Sequence, residues 1–183
     1  MTQYATIVVD PPWADRRKGN IAPTRVGRVL TDRSIRSQYD TMTVAEIAEL
    51  PVGGLAAEDS HLYLWTTNLD MPDAFGIMAR WGFRYNTLIT WVKTGHLGMG
   101  YHWRGMTEHM LFGVKGKLRT KDRGLRNHFT APKAGHSVKP DASFELIERA
   151  SPGPYVELFA RRPRLGWDAW GTKCNQMWHS PDD

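Results

Sequence analysis

Apolar positions along the chain follow two rhythms. Short β-branched or aromatic runs at residues 6–9 (TIVV), 61–67 (HLYLWTT), 85–93 (YNTLITWVK), 108–114 (EHMLFGV) and 155–160 (YVELFA) each predict a strand. Between them lie segments with helical spacing. Thr43 followed by Val44, Ile47 and Leu50 predicts a short capped helix closed by Pro51. Residues 71–81 are amphipathic with Gly82 just beyond, and residues 141–150 place Phe144, Leu146 and Ile147 on one side before Ser151-Pro152-Gly153. No internal repeat or low-complexity tract interrupts this order. Strands alternating with helices predict an α/β sheet with helices on its faces. In such sheets ligands bind beyond the carboxyl ends of the strands, where Asp10-Pro11-Pro12-Trp13 and Arg161 both fall.

At 183 residues, one domain spanning 1–183 is expected. With 41% hydrophobic and 23% charged residues, the balance is that of a globular protein and excludes a disordered tail. No apolar run approaches the roughly 18 residues of a membrane span, and residues 1–10 lack the pattern of a signal peptide. The single cysteine, Cys174, excludes an internal disulfide and a Cys-rich zinc site. A reducing, cytoplasmic location is therefore expected. Eight tryptophans exceed what a core of this size needs, which leaves some as stacking surfaces.

Charge adds a partner class. Lys and Arg number 24 against 19 Asp and Glu, an excess that favours an anionic partner, nucleic acid first. The excess is clustered. Residues 14–38 hold Arg16, Arg17, Lys18, Arg25, Arg28, Arg33 and Arg36 against Asp15 and Asp32, and residues 115–126 set six basic residues against Asp122. Both stretches are poor in periodic apolar residues and predict basic loops, at 14–38 and 115–140. Each alone reads equally as a solvated loop; two flanking one site favour phosphate contacts.

Asp-Pro-Pro-Trp is the segment with chemistry in it. Two successive prolines fix φ near about −65° and offer carbonyls without competing N–H donors. Such a turn presents an acidic side chain and a backbone carbonyl as two acceptors, followed by an aromatic face. Two acceptors beside a stacking face suit an amino group on a flat heterocycle, such as the exocyclic amine of adenine. That amine is a poor nucleophile because its lone pair is delocalised. Accepting both its hydrogens localises the lone pair and aims it. The alternative is a purely structural Pro-Pro turn after a strand.

Asp10-Pro11-Pro12-Trp13, Tyr39-Asp40-Thr41-Met42, Leu64-Trp65-Thr66-Thr67-Asn68, Trp91-Val92-Lys93, EHMLFGVKG at 108–116, HSVKP at 136–140 and ELFAR at 157–161 occur in this order. The set resembles the adenine-N6 methyltransferases related to the catalytic subunit of the eukaryotic messenger-RNA adenosine methyltransferase. In its compact form it is similar to a bacterial or phage branch. The resemblance covers residues 6–171.

The resemblance implies methyl transfer from S-adenosylmethionine (SAM) in a Rossmann-like methyltransferase fold of permuted order, catalytic turn first and cofactor strand near the C-terminus. By matching position, Asp10, Pro11, Pro12 and Trp13 form the catalytic turn: Asp10 accepts from the amine, Pro11 adds its carbonyl and Trp13 stacks beside the base. Asp10 also stands at the cofactor. Tyr39 matches an aromatic residue that holds the target adenosine, and Glu108 matches a substrate-side acid, whose plain alternative is a strand-edge charge. Lys139 matches a lysine at the methionine end of the cofactor, where an ammonium pairs with a carboxylate. Phe159 and Arg161 match residues around its ribose and adenine. Arg16, Arg17 and Lys18 are candidate phosphate contacts.

The chain departs from the eukaryotic members at Arg162-Pro163-Arg164, where they carry His-Asn, and at Thr172-Lys173, where they carry Asn-Gln. No Gly-x-Gly-x-x-Gly loop supports a nicotinamide reading. Transfer from a sulfonium needs no metal, and the seven histidines form no ligand pair at helical spacing. Cys174, beyond the last motif, offers no covalent route. DNA is the favoured substrate, because the chain carries no added RNA-binding module. A duplex adenine must leave the stack to react, and residues 14–38 and 95–104, with His102 and Trp103, are candidates to grip the backbone. RNA is the alternative substrate, and a catalytically silent nucleic-acid-binding subunit the alternative class. A homodimer or a partner protein stays open.

Overall fold

The computed structural model describes residues 2–14, 41–95, 102–133 and 138–171. Strand β1 (Tyr4–Val9) carries four consecutive buried residues at its end, as expected of a strand covered on both faces. Helix α1 (Val44–Ala48) begins with a capping box: Glu46 N–H donates to Thr43 Oγ1 at 3.2 Å, and Thr43 N–H donates to Glu46 Oε2 at 2.6 Å. A second short helix, α2 (Val52–Leu55), leads into β2 (Ala56–Thr66). Helix α3 (Met71–Arg80) ends before Gly82, whose φ of 83° lies in the left-handed region and turns the chain into β3 (Arg84–Thr94). Strands β4 (Thr107–Lys115) and β5 (His128–Pro132), helix α4 (Asp141–Ala150), β6 (Tyr155–Leu158) and β7 (Trp167–Trp170) complete the order.

Among the described residues the strands form one seven-stranded sheet in the order β5-β3-β4-β2-β1-β6-β7. Strand β4 runs antiparallel to both neighbours, and every other pairing is parallel. Alternation along the central strands divides the core between two faces. Ile7, Val9, Leu62, Leu64 and Leu111 pack with Ile77, Met78 and Trp81 under α1–α3. Val8, Tyr63, Trp65, Met110 and Phe112 pack with Phe144 and Ile147 of α4. Each fully buried aliphatic side chain contributes on the order of 2 kcal/mol. The architecture is mixed α/β, as the alternating pattern predicts. No helix among the described residues is long and apolar enough to cross a membrane.

The structure corrects one expectation. The interval 115–140, read as a basic loop, contains β5, which pairs with residues 90–94 of β3. The charged stretch also leaves β4 at the end remote from the Asp10 turn: Lys115 pairs with Ser60, at the start of the β2 core, whereas Val9 pairs with Leu64. The Leu118 carbonyl lies 3.2 Å from His61 Nε2, and Lys121 N–H donates to the Ala150 carbonyl at 2.8 Å. The first part of this stretch therefore lies against the lower sheet and the end of α4. The physical reason is connectivity: the chain emerges from an antiparallel strand and starts at the opposite edge.

Candidate active site

The site forms where β1, β2, β4 and β6 bring their functional residues to one edge. Asp10 follows β1 directly, and its N–H donates to the Leu158 carbonyl at 3.3 Å, which ties the turn to the end of β6. The turn is closely braced. Trp13 N–H donates to the Pro11 carbonyl at 2.9 Å, Met42 N–H donates to the Pro12 carbonyl at 2.8 Å, and Trp13 Nε1 donates to the Trp65 carbonyl at 3.1 Å. The indole plane thus takes its place from β2 as well as from its own backbone. The Pro11 carbonyl keeps a second lone pair.

Lys139, just before α4, reaches back over this edge. Its Nζ lies 2.9 Å from Asp10 Oδ1, 3.2 Å from Glu108 Oε2 and 5.0 Å from the centre of the Trp65 ring. Glu108 in turn accepts from Lys93 Nζ at 2.5 Å, and Lys93 stands 5.1 Å from the Trp91 ring. The result is a chain of alternating charge, Asp10–Lys139–Glu108–Lys93, with Lys139 and Asp10 each only 12% exposed. Such burial penalises the ammonium, but the two carboxylates outweigh that and hold the Lys139 pKa above the ordinary lysine value. Burial likewise opposes ionisation of Glu108, and Lys139 and Lys93 together pull its pKa below the usual carboxylate value. Close geometry makes these charge-assisted bonds stronger than ordinary ones.

Glu157 of β6 adds a third acid to Asp10 and Glu108, and it is buried. It pairs in register with Val8, two residues before Asp10 and on the same sheet face. Burial first, and the neighbouring Asp10 charge second, push its pKa up to about 7; Arg164, Arg162 and Lys139 oppose the shift. The same two arginines hold Asp141 at the first turn of α4, and Arg164 also lies 3.9 Å from the centre of the Phe144 ring. They pull the Asp141 pKa below its usual value. This clamp joins the β6–β7 connection to the helix that begins two residues after Lys139. Phe159 follows β6 with φ of 65°, an unusual conformation for a large residue, and packs against the α1–α3 core. Such strained positions cluster at functional sites.

A profile of the MT-A70 family matches residues 4–173, nearly the whole chain and every described residue of this site. The chain belongs to the MT-A70 family of adenine-N6 methyltransferases. Among its relatives, the type II methyltransferase M.MunI of a Mycoplasma species is 32% identical over 182 residues, covering 93% of this chain and 78% of that protein. The human N(6)-adenosine-methyltransferase catalytic subunit METTL3 is also 32% identical, over 184 residues, covering 96% of this chain and 28% of METTL3. The MT-A70-like protein of Drosophila melanogaster is 31% identical and is covered to 27% of its length. The chain thus spans most of the bacterial relative and under a third of the animal ones.

Of the site residues expected for an MT-A70 chain, the structure brings together Asp10, Glu108 and Lys139, with Pro11, Pro12 and Trp13 in the braced turn. Phe159 lies at the end of β6, beside the β1 end, and Arg161 follows it. Tyr39, Arg16, Arg17 and Lys18 lie outside the described residues. Sequence reasoning missed Lys93, Glu157 and the Arg162–Arg164 clamp. Lys93 had only a weak signal, its place at the end of Trp91-Val92-Lys93; that it shares a face with Glu108 follows from the register, in which Trp91 pairs with Glu108. Glu157 had a weaker one, an acid inside an otherwise apolar strand.

Proposed function

We propose that this chain is an S-adenosylmethionine-dependent methyltransferase that methylates the exocyclic N6 amine of adenine in DNA, and that residues 1–183 form one domain of the permuted Rossmann-like type. The observation that carries the reading is the junction of Asp10 and Lys139 at the carboxyl edge of the sheet. Its donor set fits the cofactor. An ammonium has three N–H donors; Asp10 and Glu108 take two, which leaves one for the carboxylate of the methionine moiety. Phe159 and Arg161, at the neighbouring end of β6, are the residues to hold the ribose and adenine. The bound cofactor supplies an electrophilic methyl group on a positively charged sulfur.

The chain's own residues then do three things. Asp10 has one oxygen on Lys139 and offers the other to an N–H of the adenine amine, while the Pro11 carbonyl accepts the second N–H. Both acceptances withdraw the lone pair from ring delocalisation and point it away from the turn. Trp13, fixed through Nε1 to the Trp65 carbonyl, stacks beside the base and limits its tilt. Alignment of this kind lowers the entropic part of the barrier, a term worth up to about 7–11 kcal/mol in favourable cases. The amine loses one proton on transfer, and in this reading the Asp10 carboxylate takes it.

DNA is favoured over RNA because the likeness to the type II methyltransferase M.MunI extends over 78% of that protein. The RNA reading draws on the METTL3 relatives, named for N(6)-adenosine, of which this chain matches 28%. Retention of Asp10 together with Lys139 argues against a silent subunit. The discriminating experiment offers labelled SAM with matched duplex DNA, single-stranded DNA and RNA, followed by digestion to nucleosides. Label in N6-methyldeoxyadenosine is expected. Label confined to adenosine of RNA would overturn the substrate class, and no label in any polymer would overturn the function.

A further inference from the structure

Next to the charged chain, on the other face of the sheet, is a polar cluster that the proposed chemistry does not use. His109 of β4 is 8% exposed and is bonded on both ring nitrogens. Nδ1 lies 3.1 Å from Thr90 Oγ1, and Nε2 lies 2.8 Å from Asn68 Oδ1 and 3.2 Å from Thr107 Oγ1. Burial lowers the His109 pKa, with the charge of Glu108 working against the shift, so the ring is neutral near pH 7. The acceptor Asn68 Oδ1 at 2.8 Å selects the tautomer in which Nε2–H donates to it and Nδ1 accepts from the Thr90 hydroxyl.

This arrangement leaves Asn68 in an informative state. Its oxygen is engaged by a buried, rigid donor, so its amide nitrogen points its two N–H groups elsewhere, and the residue is exposed. Asn68 stands two residues beyond β2, between the strand ends that carry Asp10 and Glu108. A buried imidazole with both nitrogens satisfied is an expensive way to hold a surface amide unless its orientation matters.

We propose that Asn68 is a nucleic-acid contact, its amide N–H groups aimed by His109 at an acceptor on the strand that carries the target adenine. This rests on the proposed methyl transfer to nucleic acid. With one lone pair of the oxygen on His109, the two amide N–H groups are the polar face the side chain turns outward. It suits acceptor atoms such as a guanine N7 or O6, a thymine O4 or a phosphate oxygen. His109 acts as a positioning residue through Asn68.

The test is steady-state methyl transfer to an oligonucleotide, with cofactor saturating, for wild type, Asn68→Ala, Asn68→Asp and His109→Gln. Asn68→Ala should raise KM for the oligonucleotide up to about tenfold, the loss of one hydrogen bond, with kcat within about twofold. Asn68→Asp, similar in shape but without the donors, should raise it further. His109→Gln should give a smaller rise in the same parameter, and the double variant His109→Gln/Asn68→Ala no more than Asn68→Ala alone. A penalty that vanishes when one flanking base is changed assigns the acceptor to a base edge; a penalty indifferent to sequence assigns it to phosphate. An unchanged KM for both Asn68 variants, with wild type active, would overturn the contact and leave the methyltransferase reading intact. Wild type inactive on every polymer would overturn both.

Discussion

Glu157 is buried beside the charged edge with its pKa pushed up to about 7 by burial and by Asp10. The unfolded chain ionises this group near the ordinary 4.5, the folded chain only near 7. Its contribution to stability is thus complete below pH 4.5 and is lost as pH rises to 7. The difference corresponds to roughly 3 kcal/mol. Glu157→Gln keeps the shape and removes the ionisation. Urea unfolding at pH 5 and pH 8 should show the variant gaining on wild type by up to roughly 3 kcal/mol at the higher pH; parallel behaviour would contradict the buried acid. At this scale the sequence carried much of the site. Asp10, Glu108 and Lys139 are each legible as motif residues. Their mutual contact, at 2.9 and 3.2 Å, is not, because it depends on how far the chain before α4 folds back over β1.

Elements were legible in proportion to their own apolar rhythm. The helix expected at 141–150 is found at Asp141–Ala150, because Phe144 and Ile147 give it a face to bury. The strand expected at 85–93 is found at Arg84–Thr94. Strands β5 and β7 and helix α2 were not foreseen. HFTAP ends in proline, WDAW alternates over four residues only, and VGGL contains two poor helix formers. These pieces take their conformation from a neighbour rather than from local pattern: β5 from β3, and β7 from β6. Expected helix 43–51 shrinks to Val44–Ala48 for a related reason, since only Ile47 is buried. The close approach of β7 to the end of β6 makes a sharp test. A Cβ on Gly171 would stand 2.4 Å from the Ala160 carbonyl oxygen and 2.8 Å from its nitrogen, both backbone atoms with little room to move. Gly171→Ala should cost on the order of 1–3 kcal/mol in a denaturant titration. It should also weaken cofactor binding, since Phe159 and Arg161 flank Ala160. A variant as stable as wild type would show that the approach is looser than described.

For the whole molecule, two basic stretches were expected to flank one site. The second does not: residues after Lys115 leave from the remote edge of the sheet, and a β-strand interrupts the interval. Charge patterning along a chain records composition, whereas position depends on strand direction, and the antiparallel course of β4 was not legible from its residues. The first stretch, residues 14–38, still follows directly on the Asp10 turn in sequence. Replacing Arg16, Arg17 and Lys18 together by Ala should weaken nucleic-acid binding. It should also flatten the dependence of log K on log salt by up to about 3 if all three meet phosphates. An unchanged slope would remove that role.

The central claim is that the Asp10 turn drives methyl transfer to the adenine amine. The most direct measurement is single-turnover transfer by Asp10→Asn, with SAM and the oligonucleotide both above saturation and the product identified as its nucleoside. Asparagine preserves the shape but loses the anion that faces Lys139 and the amine. A fall of at least about a hundredfold in the rate of N6-methyladenine formation, with the fold intact by circular dichroism, is the predicted result. A rate within a few-fold of wild type would contradict the assignment of Asp10 and place the chemistry elsewhere on the molecule.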